Sequence, residues 1–158
     1  MFNGVFTENV LLLGLAATLV VAAAIDVRTF TISNKLNLAV ALCAPLYWLS
    51  VALPWWPDAG IHLAVGAGVF VLLAGAFYAG MMGGGDVKLA AALALWFSPA
   101  STIKFLVLTS LAGGVLTVGI LVWHRTRKRG DRPEIPYGVA IAFGGLAILT
   151  QRFLNQFA

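Results

Sequence analysis

Charged side chains are nearly missing from this chain: Asp, Glu, Lys and Arg make up 10% of 158 residues, against roughly a quarter in ordinary soluble domains. A soluble domain of this length needs far more charge to cover its surface, so that class is excluded. Cysteine is almost absent too. The single Cys43 allows neither an intrachain disulfide framework nor a CxxC zinc site, and it reads as a packing residue. No Lys or Arg precedes Arg28, and the first charge is the acidic Glu8. The apolar N-terminal stretch therefore lacks the basic region of a secretory signal and reads as a retained first span. No internal repeat, low-complexity tract or separate soluble domain is visible.

What is there is apolar. Hydrophobic residues make up 61% of the chain, mean hydropathy is +0.95 and there are 17 glycines. A spanning helix needs about 20 mainly apolar residues to cross about 30 Å of hydrocarbon. Six segments are candidates: Val10 to Ile25, Leu36 to Leu53, Ile61 to Ala79, Asp86 to Phe97, Ile103 to Trp123 and Tyr137 to Phe153. The expected fold is all-α: one polytopic membrane domain over residues 1–158 with six transmembrane helices. Turn and interface residues separate them, including Ser33-Asn34, the Trp55-Trp56 pair, Gly83 to Gly85, Ser98-Pro99 and Gly130 to Pro136.

The fourth segment is short, rising only about 18 Å at 1.5 Å per residue. With six crossings, Arg28, Lys35, Lys88 and the basic residues from Arg125 to Arg132 share one side, leaving Lys104 and Arg152 on the other. The positive-inside rule makes the first side cytoplasmic and puts both termini outside an inner membrane. Helix 4 is then expected to begin at membrane depth, after an irregular Met81 to Gly85 segment shielded by protein. The formal charge of +4 needs no nucleic acid: half the basic residues lie in the Arg125–Arg132 run, where topology and contact with anionic membrane lipids are sufficient causes.

Two acids stand at predicted helix ends, Asp26 after Ile25 and Asp86 after Gly83, Gly84 and Gly85. An acid near hydrocarbon is a functional candidate by default. The structural reading of Asp86 is an N-cap on the positive end of its helix, and that of Asp26 is pairing with Arg28 or Lys35. The functional reading is that the two acids, on one face, converge. Mutual repulsion and desolvation then leave one proton shared between them, the arrangement in which an aspartic protease activates water without metal or cofactor. His62 and His124 lack ligand spacing and read as interfacial residues. Lys88 reads as a snorkelling anchor that could also tune Asp86 or meet a substrate, and Asn34 as a turn residue or a substrate contact. Trp48, Trp55, Trp56 and Trp96 read as an outer aromatic belt. The pairs Gly80 with Gly84 and Ala64 with Gly68 suggest close helix packing. Asp131 and Glu134 are candidates to meet a basic substrate segment.

The blocks around the two acids resemble the type IV prepilin peptidases and preflagellin peptidases. Gly83-Gly84-Gly85-Asp86-Val87-Lys88-Leu89 is similar to their GxGD motif, and Asp26-Val27-Arg28 through Ser33-Asn34-Lys35-Leu36 to their first aspartate and its Ile-Pro-Asn segment. Ile135-Pro136-Tyr137-Gly138 resembles a third block before the last helix. Ser33 stands where the family has proline. The resemblance implies an aspartic endopeptidase, with Asp26 and Asp86 catalytic, that cuts the leader from a prepilin or pseudopilin at the cytoplasmic membrane face, just before the substrate's hydrophobic helix. It also implies that Gly83 to Gly85, Lys88 and Asn34 shape the site, the glycines by leaving room for an extended substrate backbone and adopting conformations closed to other residues. The cysteine-rich loop of the bifunctional members is missing, which resembles the peptidase-only branch serving Flp-type pili. A different class would also use intramembrane acids, a small proton-coupled transporter whose flux depends on Asp86. A non-catalytic assembly subunit would need neither acid.

Overall fold

The computed structural model describes residues 2–126 and 134–156. These residues form six α-helices: α1 (Phe2–Thr29), α2 (Asn34–Ser50), α3 (Gly60–Tyr78), α4 (Gly84–Ala94), α5 (Pro99–Thr126) and α6 (Tyr137–Gln156). A one-turn π segment, Trp55–Ala59, leads into α3. Four stretches are long and apolar enough to cross a membrane: Val5–Thr29, Trp55–Tyr78, Pro99–Thr126 and Tyr137–Asn155. At 17 and 11 residues, α2 and α4 are shorter. The run Arg127 to Arg132, with Asp131, lies outside the described residues, while Arg125 and Glu134 are exposed.

Helices α1 and α6 run antiparallel, clasped at both ends. At one end Arg152 donates to Glu8 at 2.7 Å, with its guanidinium 5.2 Å from the Tyr47 ring centre. At the other, the Gly138 amide donates to Asp26 at 2.7 Å. The 18 residues from Glu8 to Asp26 span about 27 Å. The buried stripe of α1 is Leu12, Leu15, Leu19, Ala22 and Asp26, alternating steps of three and four that keep one face of a helix toward the bundle. Small residues on α6 permit close approach: a Cβ on Gly144 would overlap Thr109 Oγ1, and one on Gly145 would sit 2.8 Å from Leu19 Cδ1. The expected pairs do not carry the packing. Gly68 and Gly80 have open space around them, and on α3 the close approach falls at Gly66, whose Cβ would lie 2.6 Å from Leu95.

The short α4 is the buried centre of the bundle, packed by α2, α3 and α6. Val87, Leu89, Ala90, Ala92, Leu93 and Ala94 are all buried, whereas the long helices expose rows of Leu, Val and Phe. A helix enclosed this way meets protein rather than lipid, so its ends need protein partners. Trp48 Nε1 donates to the Leu95 carbonyl at 2.9 Å and His62 Nδ1 lies 3.0 Å from the same oxygen; Trp96 Nε1 donates back to Val40 O at 3.0 Å. Trp48 and His62 are therefore inward-facing caps on the C-terminal end of α4, and the buried Trp96 is tied to the middle of α2; none of the three is the interfacial residue its position in the sequence suggests. Only Trp55 and Trp56 of that expected belt are exposed. Trp48→Phe is expected to destabilise the bundle by about 1–2 kcal/mol through the lost donor. The measurement is the thermal midpoint in detergent, and an unchanged midpoint would remove the capping role.

Candidate active site

The glycine run and Asp86 enter the bundle at the start of α4. The irregular backbone before this helix covers residues 79–83, not Met81 to Gly85, and α4 begins at Gly84. The positive φ in this turn falls on Gly80, at 71°, and Gly83 is in ordinary extended backbone at φ −74°, ψ 147°. Gly83 to Gly85 are thus not glycines for conformational freedom; what the structure shows around them is proximity. A Cβ on Gly85 would lie 2.7 Å from the Ile32 carbonyl, and one on Gly83 would lie 2.9 Å from Asp86 Oδ2. Gly84 faces only the Phe77 ring, at 3.3 Å.

Asp86 is buried at the third position of α4, and its Oδ2 accepts the Gly83 N–H at 3.2 Å. This is the capping contact its sequence position suggests. It engages one oxygen only: Oδ1 is buried and has no hydrogen-bond partner. A buried acceptor left open in this way calls for an explanation beyond capping.

Asp26 lies in the last turn of α1, which continues to Thr29 rather than ending at Ile25. It is 2% exposed and pairs with neither Arg28 nor Lys35. Its Oδ2 instead accepts from Gly138 at the N-terminus of α6, with the Val139 amide beside it. The unfavourable dipole at the end of its own helix is offset by the favourable one at the start of another. Gly138 is required there, because a Cβ would sit 2.8 Å from both Asp26 Oδ2 and Ile32 Cδ1.

Ile32 joins the two halves. Its backbone meets Gly85 and its side chain meets Gly138, so the glycine next to Asp86 and the glycine bound to Asp26 touch the same residue. The carboxyls are within electrostatic reach of each other. The chain reaches Ile32 through a tight reversal in which Phe30 adopts φ 52°. Ser33 then caps α2, its Oγ accepting from Leu36 N at 3.3 Å. The Ser33 hydroxyl thus opens α2 directly after the reversal.

Two further contacts tie α2 to the start of α4. Lys88 Nζ donates to Asn34 Oδ1 at 2.8 Å, so Lys88 is held across the helix pair. Asn37 Nδ2 donates to the Gly85 carbonyl at 2.9 Å, and Asn37 is 5% exposed. Asn37 is the residue that sequence reasoning passed over, and Gly138, noted there only as part of the third block, takes its role from the bond to Asp26. A lone amide one turn beyond Asn34 inside an apolar helix was the available signal for Asn37. For Asp26 itself, the buried 12-15-19-22-26 stripe, not used in the sequence reading, is the pattern that sets the acid on the inward face. Among the described residues no group of three or more His, Cys, Asp or Glu could hold a metal ion.

Residues 13–118 match the model of the type IV leader peptidase family. The chain is also 29% identical over 149 residues to a prepilin leader peptidase/N-methyltransferase of Burkholderia pseudomallei, covering 86% of this chain and 44% of that protein. It is 30% identical over 136 residues to a prepilin leader peptidase/N-methyltransferase of Pectobacterium carotovorum subsp. carotovorum, covering 84% and 48%. The chain thus spans about half the length of the curated relatives it matches. No solved structure matches it.

Proposed function

The chain belongs to the type IV leader peptidase family, and we propose that it is an aspartic endopeptidase that removes the leader from a prepilin or pseudopilin, with Asp26 and Asp86 as the catalytic pair. The observation that supports this reading is that two buried acids, 60 positions apart in the chain, lie beside Gly85 and Gly138, which both abut Ile32, with one Asp86 oxygen unpartnered. Two neighbouring carboxyls in so dry a place favour a single shared charge. The charged member takes a proton from water as the water oxygen bonds to the scissile carbonyl carbon, and the neutral member donates to the carbonyl oxygen. The tetrahedral intermediate then breaks its C–N bond as the first acid passes its proton to the leaving amine and the second takes its proton back. The Gly138 amide holds the Asp26 carboxyl, the Gly83 amide holds that of Asp86, and Asn37 holds the backbone that presents Asp86.

We further read the bundle as crossing the inner membrane six times, with α4 completing its passage inside protein and the two acids toward the cytoplasmic side. The connection between α1 and α2 is four residues, 30–33, and Cys43 is the chain's one cysteine. Leader cleavage without N-methylation is the activity that fits. Co-expression with an Flp-type prepilin, followed by mass spectrometry of the product, is expected to show a shortened pilin with an unmethylated N-terminus. A methylated product would overturn that part of the reading. Cleavage in purified membranes is expected to continue in excess EDTA, and its loss there would overturn the two-aspartate mechanism. Cleavage retained in full by Asp26→Asn or Asp86→Asn, at matched protein levels, would sink the peptidase assignment.

A further inference from the structure

Beside the acid pair lies a groove that the catalytic geometry does not use. It is a cavity of about 540 Å³ between α2, α3 and α4. Asn34, Lys88 and Asn37 stand at one end, and the walls beyond them are apolar, with small side chains at Ala41, Ala67 and Ala91. Small residues let a helix backbone come close in a membrane, where packing rather than hydrophobicity drives association.

The polar end carries the second observation. Asn37 is nine-tenths buried, and its amide orientation is set by Gly85, whose carbonyl takes the Nδ2 hydrogen. That leaves Oδ1 as the other group, and it has no hydrogen-bond partner. A buried acceptor without a donor is costly, and its natural complement is a free N–H. The first turn of any helix has four such N–H groups. A lipid acyl chain in the same groove has none and would leave Oδ1 bare.

We propose that this groove seats the apolar helix of the substrate, with the helix's first turn at Asn37 and its following turns against Ala41, Ala67 and Ala91. The proposal rests on the peptidase reading above. The polar end adjoins Gly85, one residue from Asp86, so a helix starting at Asn37 has the residues just before it at the acid pair. From Lys88 to Leu95 the groove measures about 10 Å along α4, enough for about two helical turns. The groove thus selects for a leader followed at once by an apolar helix with a narrow first face, and against bulky side chains on that face.

The test is disulfide crosslinking in membranes, using the full chain with Cys43→Ser and Asp86→Asn, so that bound substrate is not consumed. The probe is an Flp-type prepilin bearing single cysteines stepped through the first two turns of its apolar helix. Ala67→Cys is expected to crosslink to cysteines on one helical face of those turns, while Val115→Cys, exposed on α5, crosslinks little. In the catalytically intact chain, Ala67→Phe is expected to raise KM for the same prepilin about tenfold with little change in kcat. Equal crosslinking at both positions, or none at Ala67→Cys while the intact chain cleaves that prepilin, overturns the groove and leaves the peptidase reading standing. A fall in kcat at unchanged KM also overturns it. Processing of the probe by the Asp86→Asn chain overturns the peptidase reading, and the groove's role as a substrate seat falls with it.

Discussion

Asp26→Asn and Asp86→Asn are each expected to lower prepilin cleavage by about 10³-fold, since general acid–base catalysis of this kind contributes about 10² to 10⁴. Asparagine has the shape of aspartate and keeps an acceptor oxygen. The Gly138 amide can still donate to residue 26 at the 2.7 Å contact, and the Gly83 amide to residue 86 at 3.2 Å. The variants should therefore fold, and their thermal midpoints in detergent should stay close to that of the parent. Asn can neither give up nor accept the proton that the reaction moves. Asp26→Ala separates the two roles: it also removes the acceptor for the start of α6, at about 1 kcal/mol, so activity and midpoint fall together. The measurement is the mobility shift of a co-expressed prepilin, with the midpoint recorded on the same preparations. A midpoint that collapses with Asn at either position would mean that the acid is there for structure.

The second large effect separates glycines that look alike in the sequence. Gly85→Ala is expected to reduce cleavage by 100-fold or more, on the order of 3 kcal/mol in the transition state, because its Cβ would sit 2.7 Å from the Ile32 carbonyl. That neighbour is backbone and cannot swing away, so the start of α4 has to move and Asp86 moves with it. Overpacking of this kind usually destabilises by about 1–3 kcal/mol as well. Gly138→Ala is expected to act similarly from the other side, because its Cβ would meet the Asp26 carboxyl and Ile32 at 2.8 Å. Gly84→Ala should keep most activity, since it meets only the half-exposed Phe77 ring at 3.3 Å, which can turn. Equal losses at Gly84 and Gly85 would contradict the proximity account and favour a general need for flexibility in the run.

The helical content was legible because hydrophobic runs of the right length leave a chain in lipid few alternatives. Each of the six expected segments overlaps a helix. The ends were less legible, since α1 and α5 extend past the apolar blocks that announced them, and at α1 this moved Asp26 from a helix end to a helix face. The tryptophans show the limit most clearly. Trp48 and Trp96 sit where interfacial aromatics belong by position, but both side chains turned inward, Trp48 to donate to the buried C-terminal end of α4 and Trp96 to donate to Val40 on α2.

By itself, the sequence determined that this is an apolar helical bundle with very few acids, two of them in recognisable blocks. Only the tertiary structure decided what those acids meet. Asp26 binds the amide that opens α6, Asp86 leaves one oxygen free, and Ile32 touches the glycine beside each. The physical reason is range. Helix formation and burial in lipid are set by neighbours within a few turns, and a linear pattern records them. The convergence of residues 26, 32, 86 and 138 depends on how closely four segments approach, and that distance is set by which glycines lack a side chain at the point of contact.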